Sequence, residues 1–343
     1  DRSRHRACRV FVMADLSGLM RAAVAVEKGV VRCEEVEIPH PSAGEVLVRT
    51  RAASICGSDL HMVNTGWAMH AFPAMAGHPG HEAVGEVIKS LSGKFAVGDI
   101  VLTAPHIWNS RCFADYQVVD DAHVLKLASD VDIDTVTLAQ QLGTVVYAAK
   151  RLPSSLEGQT CLVVGQGSAG LFWDFTLRNL GAEKIISIEP LAWRRELGLA
   201  YGVDETVDVT GDSAVEAVRD LTGGAGADLV IEAVGTTRTL SQAFHLVRNE
   251  GRVVLFGLPE SEDPVPFDYS QMFKSRADVF TVLGSQDEPG LTSYSEAALL
   301  ISSGEIDVKP IISHRVNIGK IDRAFEIANE RVDDAVKIGI TFD

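Results

Sequence analysis

A chain of 343 residues is long for one domain and comfortable for two, each able to bury its own core. Apolar residues at 46% and charged residues at 23% fall in the ordinary globular range, and no uninterrupted apolar run is long enough to span a bilayer, so a soluble protein with no membrane partner is expected. The 31 Lys and Arg against 47 Asp and Glu leave a net charge of −16, which argues against nucleic acid or an anionic membrane surface and favours small molecules or protein subunits as partners.

The first 19 residues, DRSRHRACRVFVMADLSGL, are Arg-rich but carry Asp1 and Asp15 and lack a signal-peptide core; they read as an N-terminal extension before a fresh start at Met20. Five cysteines, Cys8, Cys33, Cys56, Cys112 and Cys161, form no CxxC pair and are odd in number, which points to a reducing cytoplasm rather than a disulfide framework. From Met20 to about Val119, short alternating strands such as EVLVRTRAA, EAVGEVIKS, DIVLTA and ADYQVV are broken by Gly, Pro and Asp, the texture of a β-rich domain. From Thr160 the pattern changes to apolar strand, Gly turn and amphipathic helix, repeated through TCLVVG, KIISIE, TVDV, ADLVIEAV, RVVLFG and VFTVLG. That order is the signature of a doubly wound parallel sheet. A helix near Ser293 to Ser303, a strand at SHRV, a helix near Asp322 to Asn329 and a last strand VKIGITF follow, and this tail is expected to return to the first domain.

The segment CLVVGQGSAG places Gly165, Gly167 and Gly170 directly after a strand and at the opening of a helix. Glycine-rich turns also serve tight packing, but in this setting they let backbone approach a pyrophosphate, with the helix amino end at Ala169 offering unpaired N–H groups. Glu189 ends the next strand, 19 positions past Gly170, where a carboxylate accepts bonds from ribose hydroxyls and repels a 2′-phosphate. NAD is therefore expected over NADP, although Arg194 and Arg195, one helical turn on, offer a counter-charge.

Upstream, SICGSDLH and GHPGHEAVGEV bring Cys56, His81 and Glu82 to two Gly-rich turns. Singly each has an ordinary reading as a buried cysteine, a loop histidine and a surface charge; together they are ligand types that suit Zn²⁺.

Through CGSD, GHPGHEAVGEV, VGQGSAG, IEAVG, RVVLFGLP and the closing VKIGITF, the chain from Met20 to Phe342 resembles the zinc-dependent medium-chain dehydrogenase/reductase superfamily, in its alcohol and polyol dehydrogenase branch. The resemblance implies an α/β protein with a GroES-like catalytic domain over residues 20–142 and 286–343, a Rossmann domain over 143–285, and assembly as a homodimer or homotetramer. It places Cys56 and His81 as zinc ligands, Glu82 beside the metal, Asp59 behind the ligand histidine, and Ser58 and His61 on a proton relay. By the same likeness Thr144 and Val234 would touch the nicotinamide, Phe256 and Gly257 its ribose side, Arg194 the adenosine ribose and Lys337 the pyrophosphate. Two departures stand out. VLTAPHIWNSRCF holds only Cys112 where the family carries a four-cysteine structural-zinc lobe, so one catalytic zinc and no structural zinc is expected. In LAQQLGTVVYAAKRL, Gln140 stands where the family has an anionic third ligand, which would leave a zinc site with one net positive charge unless Glu82 cancels it.

The expectation is an NAD-dependent dehydrogenase of a secondary alcohol or polyol, with a small-molecule alcohol or ketone as substrate. Its rivals are a zinc-independent enone or quinone reductase on the same fold, which has no need of Cys56, Asp59, His81 and Glu82 together, and a non-catalytic dinucleotide-binding protein with an impaired metal site.

Overall fold

The computed structural model describes residues 18–261 and 263–343, so the expected extension lies outside them except for Gly18 and Leu19, the latter already in the first strand. Strands β1 (Leu19–Glu27) and β2 (Val30–Glu37) form an antiparallel hairpin beside the larger sheet. The first domain continues with β3 (Glu45–Ile55), α1 (Gly57–Thr65), β4 (Glu82–Ser90), β5 (Ile100–Thr103), β6 (Tyr116–Asp120) and β7 (Val124–Lys126). Period-2 alternation puts Val46, Val48, Val87, Val101, Val119 and Val124 into one buried cluster, the β-branched filling that a pleated sheet packs well. Helices α2 (Ile133–Val136) and α3 (Ala139–Ala149) lead out of this domain, and α3 runs through the boundary drawn at residue 142.

The second domain alternates as the sequence pattern requires: β8 (Thr160–Val164), α4 (Ser168–Asn179), β9 (Lys184–Ile188), α5 (Ala192–Ala200), β10 (Glu205–Val207), α6 (Asp212–Leu221), β11 (Ala227–Glu232), α7 (Thr237–Leu246), β12 (Val247–Leu255), α8 (Tyr269–Ser275) and β13 (Asp278–Thr281). Its six strands are all parallel in the order β10-β9-β8-β11-β12-β13. The winding reverses between β8 and β11, and the crevice beyond the carboxyl ends of those strands is where an open parallel sheet binds its ligand. This is the Rossmann-like α/β fold expected.

The tail forms α9 (Thr292–Ser302), β14 (Ile312–Asn317), α10 (Ile321–Glu330) and β15 (Lys337–Thr341). Helix α9 buries Tyr294, Ala297 and Ile301 in the same core as Leu138, Leu142 and Val145 around α3. Strands β14 and β15 then rejoin the first sheet, whose order is β14-β15-β3-β4-β5-β7. Two strands share one long neighbour: β6 pairs Glu45 to Arg49 of β3, and β15 pairs Ala52 to Ile55. The register sets Ser54 opposite Glu82 on one side and Ile55 opposite Ile338 on the other. Three segments far apart in sequence thus converge where β3 ends and Cys56 begins. Among the described residues no helix is long and apolar enough to cross a membrane.

Candidate active site

Cys56 caps α1, and its backbone N–H donates to Asp59 Oδ2 at 2.8 Å. The other oxygen of Asp59, fully buried, lies 2.9 Å from His81 Nδ1. That contact sets the imidazole orientation and leaves Nε2 for other partners, with Ser58 Oγ 3.4 Å from it. Burial opposes a charge on His81, but Asp59 and Cys56 outweigh it and raise its pKa well above the ordinary imidazole value.

Glu82 opens β4 and is fully buried. Its oxygens Oε1 and Oε2 lie 2.9 and 2.7 Å from Lys337 Nζ, and Ser54 Oγ donates to Oε2. Burial opposes the Glu82 charge, yet Lys337 and His81 hold its carboxyl below the usual range; burial likewise opposes the Lys337 charge, and Glu82 and Cys56 hold it protonated. Gln141 completes the group: its Nε2 donates to Cys56 Sγ at 3.5 Å and its Oε1 accepts from Lys337 at 3.3 Å.

The donor atoms of Cys56, His81 and Glu82 lie within 4.8 Å of one another, and among the described residues this is the one such cluster of His, Cys, Asp and Glu. A thiol and an imidazole braced by a buried carboxylate fit Zn²⁺ by ligand type and by the support behind the histidine. The amide against Cys56 is that of Gln141. Gln140, expected there, is its buried neighbour on α3, and the helical step of about 100° between adjacent residues turns the two in different directions.

The dinucleotide residues gather at the crevice. Gly165, Gly167, Ala169, Glu189, Arg194 and Val234 all line one cleft of about 420 Å³. A Cβ on Gly170 would lie 2.0 Å from the Gly165 carbonyl oxygen, so only glycine allows this turn to close onto the helix. Glu189 is buried and already accepts two backbone bonds, from Gln166 N–H to Oε2 at 2.9 Å and from Leu191 N–H to Oε1 at 3.0 Å. Arg195 turns away, donating to the carbonyls of Glu189 and Pro190.

Other expected residues take different places. Lys337 does not face the cleft where a pyrophosphate would lie; it is 1% exposed and paired with Glu82, because strand β15 runs antiparallel beside β3 and delivers the lysine to the metal-site end of the sheet. Arg194, expected at the adenosine ribose, donates to the Ala335 carbonyl at 2.7 Å and stands near Gly167, with a guanidinium nitrogen 3.9 Å from where a Cβ of that glycine would be. Phe256 packs edge-on against Trp173, and the N–H groups of Phe256 and Gly257 both donate to the Glu232 carbonyl. Thr144 sits on α3 and donates to the Gln140 carbonyl at 3.4 Å. His61 lies one turn beyond Gly57 on α1, its ring 5.7 Å from that of Trp67. In the loop between β5 and β6, Cys112 is buried with its thiol 3.6 Å from the Glu82 carbonyl, and His106 stacks on Trp108 at 5.2 Å.

Sequence reasoning missed Ser54, Gln141 and Arg331, the last lining the cleft. A lysine opening the otherwise apolar strand VKIGITF was the one signal that a buried charge partner existed.

Comparison with known proteins agrees with this arrangement. An alcohol dehydrogenase GroES-like domain matches residues 42–129 and a zinc-binding dehydrogenase domain matches 170–303. L-threonine 3-dehydrogenase of Pyrococcus abyssi is 30% identical over 323 residues, covering 85% of this chain and 90% of the relative; that of Bacillus subtilis is 28% identical over the same length. The solved alcohol dehydrogenase of Thermus sp. ATN1 superposes with a TM-score of 0.79 at 25% identity, over 94% of this chain and 100% of that one. With both domain models matched, and a relative at this identity over nearly its whole length, the chain belongs to the zinc-dependent medium-chain dehydrogenase superfamily and is an oxidoreductase of the zinc-binding dehydrogenase type.

Proposed function

We propose that this chain is an NAD-dependent dehydrogenase of secondary alcohols or polyols that works with one catalytic zinc ion. The observation that carries the reading is that Cys56 and Gly57 line the same cleft as Gly165, Gly167 and Glu189, so the cysteine of the metal cluster and the dinucleotide turn open onto one space. When bound, zinc supplies Lewis acidity toward a substrate oxygen, and the nicotinamide supplies the hydride acceptor. Cys56 and His81 would hold the ion, with Asp59 keeping the imidazole turned toward it. Ser58, beside His81 Nε2, and His61 on the same helix would carry the hydroxyl proton away. Glu82 stays in the wall, its charge matched by Lys337 rather than free to cancel that of a cation. Arg194 and Arg331 offer positive charge to a pyrophosphate in the cleft, and Glu189 meets the ribose.

The test is NAD reduction screened over simple secondary alcohols, sugar alcohols, cyclitols and amino alcohols, with L-threonine included because the relatives are named for it. Dinucleotide binding with no alcohol-dependent reduction would defeat the reading in favour of a binding protein. Full activity in metal-free protein would defeat it in favour of a zinc-independent reductase. Elemental analysis should give one zinc per subunit; two would reveal a second site.

Cofactor choice is tested at Glu189. Replacing it with Ser removes the acceptor for ribose hydroxyls and the repulsion of a 2′-phosphate, so the ratio of kcat/KM for NAD over NADP should fall about tenfold or more. An unchanged ratio in steady-state assays would mean that Glu189 does not set the preference.

A further inference from the structure

Beneath the glycine turn lies a polar group that the proposed chemistry does not use. Gln166, between the first two glycines, is 0% exposed, and neither its amide oxygen nor its amide nitrogen has a hydrogen-bond partner among the other groups of the fold. Asp174, one turn beyond Gly170 on α4, is also 0% exposed, its carboxyl oxygens make no well-formed hydrogen bond, and the Gln166 amide is the polar side chain that acts on it. Burial raises the Asp174 pKa well above the usual carboxyl value, which favours the neutral acid. A neutral carboxyl and a primary amide are complementary: the acid O–H can donate to the amide oxygen while an amide N–H donates to the acid carbonyl.

The slot around Gln166 is cut to size. A Cβ on Gly170 would come within 3.4 Å of Gln166 Nε2, and one on Gly198, inside helix α5, within 2.4 Å of Oε1. Glycine is a poor choice for a helix interior, and here it leaves the room that this side chain fills. Meanwhile the backbone N–H of the same Gln166 donates to Glu189 Oε2 at 2.9 Å. The side chain of this residue is thus packed between α4 and α5 while its backbone holds the carboxylate at the ribose end of the cleft.

We propose that Gln166 and Asp174 are positioning residues for the dinucleotide: Asp174 locks the Gln166 side chain, and the Gln166 backbone thereby aims Glu189 into the cleft. This rests on the reading of the cleft as a dinucleotide site. Neither residue lines that cleft, so any effect on binding must travel through the Gln166 backbone.

The test compares Gly198→Ala, Asp174→Leu and Asp174→Asn with wild type by fluorescence titration of NADH, by steady-state kinetics and by Tm. Gly198→Ala adds helix propensity to α5 but crowds the Gln166 amide out of its slot, so Tm should fall modestly and the dissociation constant for NADH of the folded variant should rise about fivefold or more. Asp174→Leu, which removes the partner, should weaken NADH similarly, and Asp174→Asn, whose amide still pairs with an amide, should stay near wild type. In each weakened variant KM for NAD rises and kcat at saturating NAD does not fall. If Asp174→Leu does not fold, Gly198→Ala and Asp174→Asn decide the matter. Wild-type NADH affinity in folded Gly198→Ala, or equal weakening in Asp174→Asn and Asp174→Leu, overturns the proposal. Wild-type protein that binds neither NADH nor NADPH overturns the reading of the cleft and this inference with it, which separates the two failures.

Discussion

Cys56→Ser or His81→Ala will strip the protein of bound zinc and of most of its activity while NAD binding survives. A serine hydroxyl does not supply the anionic sulfur that Zn²⁺ prefers, and alanine removes the imidazole nitrogen that Asp59 orients. Losing a residue that merely supports a ligand typically costs 10–100-fold in metal affinity or activity, so losing a ligand should cost at least about 100-fold. The glycine turn and Glu189 sit in the other domain, on β8, α4 and the end of β9, and keep their own hydrogen bonds in either variant. Elemental analysis after dialysis, paired with NADH titration, checks both halves of the expectation. A variant that keeps one zinc per subunit would remove that residue from the site.

The second large effect is on stability. Lys337→Met should destabilise the protein by about 3–5 kcal/mol, because it leaves the Glu82 carboxylate buried without its counter-charge. The Ser54 hydroxyl and the more distant His81 ring remain to it, and neither replaces an ammonium held 2.7 and 2.9 Å from the two oxygens. Adding Glu82→Gln should recover much of the loss, since the second change removes the charge that the first left stranded. Urea midpoints and Tm of the two single variants and the double measure this as a thermodynamic cycle. Simple additivity, with the double variant losing the sum of the two singles, would mean that the pair is not coupled. If Lys337 instead served a pyrophosphate, its removal would raise KM for NAD and leave stability nearly unchanged, an outcome the same preparations would show.

What was legible in the sequence is local in origin. The glycine turn, the strand before it and the acidic residue after the next strand are set by backbone geometry over some thirty residues, and Val164, Gly165, Gly167, Ala169 and Glu189 line the cleft, with Gly170 behind them closing the turn onto the helix. The parallel sheet follows from repeated strand–helix alternation, while its strand order is seen only in the structure. Cys56 and Asp59 share one helical turn, and His81 and Glu82 are adjacent, so those short spacings already carried most of the metal cluster.

What only the tertiary structure decided are the pairings across sheets and helices. Lys337 is 255 positions from Glu82, and nothing in the run VKIGITF says that β15 lies antiparallel beside β3 with Ile338 opposite Ile55. That register, set by burial of the strand's apolar residues, turned a lysine expected at the cofactor into the counter-ion of a buried carboxylate. Likewise the sequence by itself offered two adjacent glutamines on α3, and the packing of that helix against α9, α4 and β4 determined that Gln141 meets Cys56. Residue types and short spacings determine which chemistry a segment can perform; which groups neutralise and orient it depends on long-range packing, where a one-residue change of register or one helical step exchanges one neighbour for another.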